Sequence, residues 1–507
     1  MAMTDDLLSL FRAAKPLSDK PFIVSAGGRV LTYGGLDALS ARQANVLVEL
    51  GVAPGDRVAV QVEKSAEAIA LYIACLRAGA VYLPLNTAYT LAELDYFIGD
   101  AEPRLVVCAP ERAEGVAELA ARHGAAALTL GVDGLTGSLA TRAAKASAAF
   151  ADVARGPGDL AAILYTSGTT GRSKGAMLTQ RNLASNAVAL RDAWRFTTDD
   201  VLLHALPIFH THGLFVASNV VLAAGATMIF LPRLDPDQVF RFLPQATAMM
   251  GVPTFYTRLL QDPRLNREAT AHVRLFVSGS APLLADTHRQ WSERTGHAVL
   301  ERYGMTETNI NTSNPYDGDR VPGLVGPPLP GIELRVTDPE TGRPLAAGEI
   351  GMIEVRGPNV FPGYWRMPDK TAAEFRADGF FITGDLGTID ARGYVQIVGR
   401  GKDLVISGGY NVYPKEIETE LDALPGVVES AVIGVPHPDF GEGVTAVLTV
   451  RPGAEVSEAD VLASLKQRLA NYKLPKRVLV VDELPRNAMG KVQKNLLRDA
   501  YRDLYTG

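Results

Sequence analysis

Hydrophobic and polar positions along the first 160 residues switch between two periods. Arg57-Val58-Ala59-Val60-Gln61-Val62 reads as a strand. Ser65 then offers a helix N-cap, Ile69, Tyr72, Ile73 and Leu76 share one helical face, and Gly79 supplies a stop. Val81-Tyr82-Leu83-Pro84-Leu85 returns to strand. Strand, helix and strand in that order predict a β-α-β unit, hence a parallel sheet covered by helices. A second α/β stretch follows, with strands at 160–164, 226–231 and 273–279. From about 323 the texture changes: short β-rich runs at 333–336 and 351–355 are broken by Gly, Pro and Asp turns, as in a small barrel or sandwich. After Gly399-Arg400-Gly401-Lys402-Asp403, helix and strand mix again. Pro414 suits the first turn of a helix carrying Ile417, Leu421 and Leu424, and strand follows at 427–428 and 431–433. The Ala-rich stretch 136–151 suits a loop or a helix equally.

The expected fold class is therefore α/β. A large N-terminal domain, 1–399, holds two α/β subdomains (about 1–158 and 159–322) and a small β-rich subdomain (323–399). A hinge at 400–403 leads to a small α+β C-terminal domain, 404–507.

Composition narrows the function. The chain is 47% hydrophobic and 21% charged, ordinary for a globular enzyme with large cores. A net charge of −6 argues against binding nucleic acid by bulk electrostatics, so anionic ligands need local positive charge. No uncharged apolar run approaches the roughly 18 residues of a membrane span, and Asp5 and Asp6 are wrong for a secretory signal. Cys75 and Cys108, each in an apolar run, read as buried structural thiols, in keeping with a reducing, cytoplasmic setting.

The chemistry begins at Tyr165-Thr166-Ser167-Gly168-Thr169-Thr170-Gly171-Arg172-Ser173-Lys174-Gly175, directly after the strand at 160–164. Glycines allow close backbone approach, hydroxyls donate, and the lysine neutralises charge, which is how a main chain wraps a polyphosphate. It is not a Walker A loop, because Lys174 is followed by glycine instead of Ser or Thr. Arg302-Tyr303-Gly304-Met305-Thr306-Glu307-Thr308 adds an aromatic face for adenine, a hydroxyl for phosphate and a hard oxygen for Mg²⁺. Thr383-Gly384-Asp385 offers a carboxylate to ribose hydroxyls, and Arg400 can serve the same sugar. Pro485-Arg486-Asn487-Ala488-Met489-Gly490-Lys491 carries a lysine that can reach into a site on another domain as a mobile point charge.

In order and spacing, these four motifs resemble those of the adenylate-forming superfamily (acyl-CoA synthetases, adenylation domains, beetle luciferases), and the likeness covers nearly the whole chain. It implies that Thr166 through Lys174 form the phosphate loop. It implies that Glu307 ligates Mg²⁺, that Thr306 lies near the α-phosphate, and that Gly279, Ser280 and Ala281 face Tyr303 across the adenine. It further assigns Asp385 and Arg400 to the ribose, Lys402 to the hinge, Gly408 and Gly409 to the pantetheine path, and Lys491 to adenylation. ATP, Mg²⁺ and coenzyme A (as co-substrate) follow. The implied chemistry has two steps: the acid attacks the ATP α-phosphorus and releases pyrophosphate, then the CoA thiol displaces AMP. In the family, the C-terminal domain is a mobile lid that rotates between these steps. The implied partners are small molecules, with a lysine acyltransferase acting on Lys491 as an expected regulator.

Pro253 opens a helix that lines the acyl pocket in relatives, and Arg258 on it would welcome a second carboxylate. A short dicarboxylate is expected from Arg258; overall resemblance, and no single contact, implies malonate as the acid, with methylmalonate as a second substrate because one methyl discriminates weakly. His210 and His212 form a His-x-His pair with no third ligand nearby in sequence; His210 is taken as site-lining, with Ser280 beside the substrate. The same nucleotide motifs serve a stand-alone adenylation enzyme that loads a carrier-protein thiol, and the sequence leaves that alternative open.

Overall fold

Two largely parallel sheets frame the N-terminal domain. The computed structural model describes residues 6–14, 16–166, 173–407, 410–469, 471–487 and 490–505. The first sheet has six strands, in the order Ala126–Thr129, Leu105–Cys108, Arg57–Gln61, Val81–Pro84, Leu160–Thr166 and Lys174–Thr179. Neighbours run parallel except for the last pair. The second sheet has eight, in the order Asn309–Ser313, Leu300–Met305, Leu275–Ser278, Ala248–Gly251, Val201–His204, Thr227–Phe230, Pro21–Ser25 and Val30–Thr32. Antiparallel strands close its two edges.

The helix Ala66–Ala78 shows how the pattern becomes structure. The Ser65 hydroxyl accepts from the Ala68 amide at 3.1 Å, satisfying an otherwise unpaired first-turn donor, and Gly79 ends the helix at φ +71°. Ile69, Tyr72, Ile73 and Leu76 are buried as their spacing predicts, yet Ala68, Leu71 and Cys75 are buried too. The helix is thus enclosed on all sides, each large aliphatic contributing about 1.5–3 kcal/mol.

The expected division near residue 158 is crossed by both sheets. Pro21–Ser25 pairs with Thr227–Phe230 in the second sheet, while Leu160–Thr166 and Lys174–Thr179 complete the first. A hydrophobic period marks a strand but does not say which sheet it joins. The β-rich region forms a four-stranded antiparallel sheet from Glu333–Thr337, Gly351–Arg356, Phe381–Ile389 and Val395–Arg400. The C-terminal domain has its own five-stranded sheet, and Pro414–Asp422 buries Ile417 and Leu421 against it. The Ala-rich stretch contains the helix Ser138–Lys145. Cys75 and Cys108 are free and buried, and burial pushes the Cys108 thiol up to about 11. Among the described residues, no helix is long and apolar enough to cross a membrane.

Five parallel strands deliver the candidate residues at their carboxyl ends. Leu160–Thr166 leads to the phosphate loop, Val201–His204 to His210 and Ala248–Gly251 to Pro253. Leu275–Ser278 leads to Gly279, and Leu300–Met305 to Thr306 and Glu307. In open α/β sheets this is the edge where ligands bind.

Candidate active site

Thr166 and Lys174 face each other across the antiparallel pair on either side of the expected phosphate loop. Ser167, Gly168, Thr169, Thr170 and Gly171 lie outside the described residues. The Thr166 hydroxyl is buried without a partner, so it is free to donate to a ligand. Lys174 Nζ lies 3.3 Å from Glu374 Oε1 and 4.1 Å over the Tyr364 ring. The Tyr364 hydroxyl sits 2.6 Å from Glu374 Oε2 and 3.0 Å from Glu307 Oε1; with one proton, it donates to only one of them at a time. Burial raises the Glu307 carboxyl, whereas hydrogen bonds from Lys370 and Tyr364, together with Lys174, hold Glu374 low despite its burial. Tyr364 and Glu374 were not visible as site residues in the sequence. They arrive because Gly363 O accepts from Met177 N at 3.1 Å and the Trp365 amide donates to Gly175 O at 2.7 Å, which staples the 363–365 turn to the strand carrying Lys174.

Asp385 and Arg400 are directly paired across neighbouring antiparallel strands, with Arg400 Nε 3.1 Å from Asp385 Oδ1. The buried Tyr303 donates its hydroxyl to Asp385 Oδ2 at 2.6 Å. Tyr303, Asp385 and Arg400 are thus one unit, with the carboxylate engaged on both oxygens. Gly279, Ser280 and Ala281 follow a strand that pairs in parallel with the one carrying Tyr303. Ser280 holds φ +71°, a left-handed backbone that a non-glycine residue keeps only when its surroundings enforce it. Thr306 is half-buried at the turn before Glu307.

Around the expected acid pocket, His210, His212, Ser280 and Arg302 converge. The His212 amide donates to His210 Nδ1 at 3.2 Å, and His212 Nδ1 lies 3.2 Å from Ser280 Oγ. Burial, aided by the Arg302 charge, pushes His210 down to about 4, so its ring is neutral near pH 7. Arg302 is the residue the sequence reading passed over. Its guanidinium is buried, its Nε and Nη2 have no partner, and it packs so closely on Gly279 that a Cβ there would collide with it. Burial pushes Arg302 down to about 9, with the nearby Tyr256 opposing. The available signal was residue type: Arg302 is a charged residue inside a strand buried from Leu300 to Tyr303, and such a residue needs a compensating partner. Among the described residues, no three His, Cys, Asp or Glu side chains gather as a metal site.

Arg258 lies on the helix Pro253–Leu260, whose core face is Tyr256 and Leu259, and its side chain is exposed. It stands one turn after Thr254, on the same helix face. That face meets the C-terminal domain: a Cβ on Gly490, which holds φ +74°, would lie 3.1 Å from Thr254 Oγ1 and Cγ2. Arg258 therefore borders the cleft between the domains.

Lys491 follows Gly490 in a tight turn in which Gly490 N donates to Asn487 O at 2.9 Å and Lys491 N to Asn487 Oδ1 at 3.0 Å. Burial pushes its amine down to about 8, with Arg400 adding to the effect and Asp385 and Asp403 opposing it. The tail lysine thus lies within electrostatic range of Asp385 and Arg400, which precede it by 106 and 91 positions in sequence. Lys402 occupies a single turn, Gly401–Asp403, whose Asp403 accepts from Arg498 at 2.5 Å. Gly408 and Gly409 lie outside the described residues; Val405–Ser407 and Tyr410–Val412 pair antiparallel on either side of them.

Residues 10–365 match the AMP-binding enzyme family, and 416–491 match the AMP-binding enzyme C-terminal domain. The crystal structure of ATP-bound MatB from Rhodopseudomonas palustris is 67% identical and superposes with a TM-score of 0.97, covering 99% of this chain and 100% of that one. The apo structure of that protein, also 67% identical with the same coverage, gives 0.86, so the shape seen here lies nearer the ATP-bound form. A malonate–CoA ligase of Arabidopsis thaliana is 34% identical over 98% of this chain and 89% of its own. A feruloyl-CoA synthase of an Amycolatopsis species is 38% identical over 94% and 95%. Overall likeness thus spans relatives named for quite different acids.

Proposed function

Because the chain belongs to the AMP-binding enzyme family, we propose that it ligates malonate to coenzyme A in two ATP-dependent steps through malonyl-AMP, releasing pyrophosphate and AMP. The observation that carries the choice of acid is Arg302. A buried guanidinium with two unpartnered nitrogens is costly alone and matched by a carboxylate, which an aromatic or fatty tail would not supply. We assign the second carboxylate of malonate to Arg302, with Arg258 assisting from the cleft and His210 and Ser280 beside the reacting end. Methylmalonate fits as a second substrate, since one methyl changes selectivity by only about 1–3 kcal/mol.

Thr166 and Lys174 would hold the phosphates, Tyr303 the adenine beside Gly279–Ala281, and Asp385 and Arg400 the ribose, with Thr306 near the α-phosphate. A carboxylate is a poor electrophile until its oxygen becomes part of a better leaving group. Lys491, delivered beside Asp385 and Arg400, would stabilise the charge that develops as the acid attacks phosphorus. Glu307 suits Mg²⁺: its burial disfavours ionisation, and a cation would reverse that. Mg²⁺ bound there would neutralise phosphate charge. Withdrawal of residues 404–507 about Lys402 would then open the way for the thiol past Gly408 and Gly409. We place the reaction in the cytoplasm, in keeping with two free buried thiols.

The test is AMP release from ATP with acetate, malonate, methylmalonate, succinate or octanoate, with and without CoA. We expect malonate to lead, methylmalonate to follow, and turnover to require CoA. Equal rates on acetate and malonate would remove the role of Arg302, and CoA-independent release of acyl-AMP would favour the carrier-loading alternative. A lysine acyltransferase acting on Lys491 would silence the first step. Peptide mass spectrometry on protein from cells lacking deacylases should find Lys491 modified; finding only free lysine there would sink that idea.

A further inference from the structure

One buried cation has no place in the mechanism above. Lys64 lies in the loop between the strand Arg57–Gln61 and the helix Ala66–Ala78, and its amine crosses from the first sheet to the second. Nζ sits 2.9 Å from His204 Nδ1, donates to His204 O at 2.8 Å, and stands 4.2 Å over the Phe230 ring. Burial lowers its pKa well below the ordinary lysine range, and no carboxylate among the described residues pairs with it. Two hydrogen-bond partners and an aromatic face surround the amine.

The consequence falls on His204, which is fully buried at the end of the central strand Val201–His204. With Nδ1 accepting from Lys64, the ring proton is placed on Nε2. Nε2 lies 2.8 Å from Gly213 O, the same carbonyl that accepts from Ser218 Oγ at 2.9 Å. Gly213 is the second residue of the wide π-helical turn His212–Ser218, where its carbonyl accepts from side-chain donors. It also packs directly on Pro207 O with no room for a side chain, which closes the loop that carries His210 and His212. His212 in turn contacts Ser280.

We propose that Lys64 and His204 are positioning residues: Lys64 fixes the tautomer of His204, and the resulting Nε2–H holds Gly213 so that His210, His212 and Ser280 form the wall of the acid pocket. The inference rests on the acid-pocket reading given above. It predicts a much larger effect on the acid than on ATP, because His210 and His212 belong to the acid side and only Ser280 of this wall also borders the place given to the adenine.

The test exploits the two ring nitrogens. An Asn side chain reaches the position of Nδ1 and a Gln side chain that of Nε2, so H204Q keeps a donor for Gly213 and H204N does not. We expect H204N and K64M to raise KM for malonate about tenfold, with KM for ATP within about twofold of wild type. H204Q should restore malonate KM to within about threefold. Thermal melting of each variant is measured alongside. Wild-type malonate KM in H204N overturns the proposal, as does an equal rise in both KM values in step with a lowered Tm, which would mark a purely structural pair. A wild-type enzyme that ignores malonate would instead sink the acid assignment, and the two failures are thereby distinguished.

Discussion

Arg302→Met is expected to lower kcat/KM for malonate by about 10²–10³-fold while changing acetate by less than about tenfold. Removing one partner of a buried, hydrogen-bonded charge pair costs about 2–5 kcal/mol, and each 1.4 kcal/mol is tenfold. The Arg302 side chain is enclosed beside Gly279, so little water screens the interaction. Methionine keeps the apolar volume and removes the charge, which limits collapse of the pocket. Arg258→Ala should cost malonate less, about 1.5–5-fold, because Arg258 is exposed at the cleft and its ion pair is partly screened. Steady-state AMP release on both acids measures these ratios. If R302M slows acetate and malonate alike, Arg302 supports the fold or the nucleotide and does not read the second carboxylate.

Lys491→Ala should reduce malonyl-AMP formation by at least about 10²-fold, the effect of deleting one pre-placed electrostatic donor. The same variant should convert supplied malonyl-AMP and CoA to thioester at close to the wild-type rate, if the proposed withdrawal of residues 404–507 removes the lysine for that step. Pyrophosphate release and thioester formation, measured separately, decide the matter; equal damage to both would contradict a role confined to the first step. The acid–base sign follows from burial. Lys491 is pushed down to about 8, so its useful ammonium form is full below that pH and lost above it. We expect kcat/KM for adenylation, which reports the free enzyme, to fall above about pH 8, and K491R, though slower, to show no such limb.

Much of this site was readable as local chemistry. The phosphate loop and the Tyr303–Glu307 run suggest their chemistry by residue type within a short window, whereas Asp385, Arg400 and Lys491 were singled out only by the joint order of four motifs and the family resemblance; the structure pairs Tyr303 with Asp385 and Asp385 with Arg400, and puts Lys491 within their electrostatic range. Tyr364 and Glu374 stayed hidden because no short pattern surrounds them; they matter only through the staple between 363–365 and the strand Lys174–Thr179. Arg302 was in plain view within a quoted motif, but its role depends on what encloses it. Lys64 and His204 are 140 positions apart, one in a loop after a strand of the first sheet and the other on a strand of the second, so no window could pair them.

Sequence alone determined the alternation of strands and helices, the nucleotide chemistry and the presence of a separate tail domain, because periodicity, capping and phosphate recognition act over a few neighbouring residues. Tertiary structure decided which sheet each strand joined, which arginine was left without an anion, and where the tail lysine came to rest. Those outcomes depend on burial, and burial is a property of contacts between distant segments.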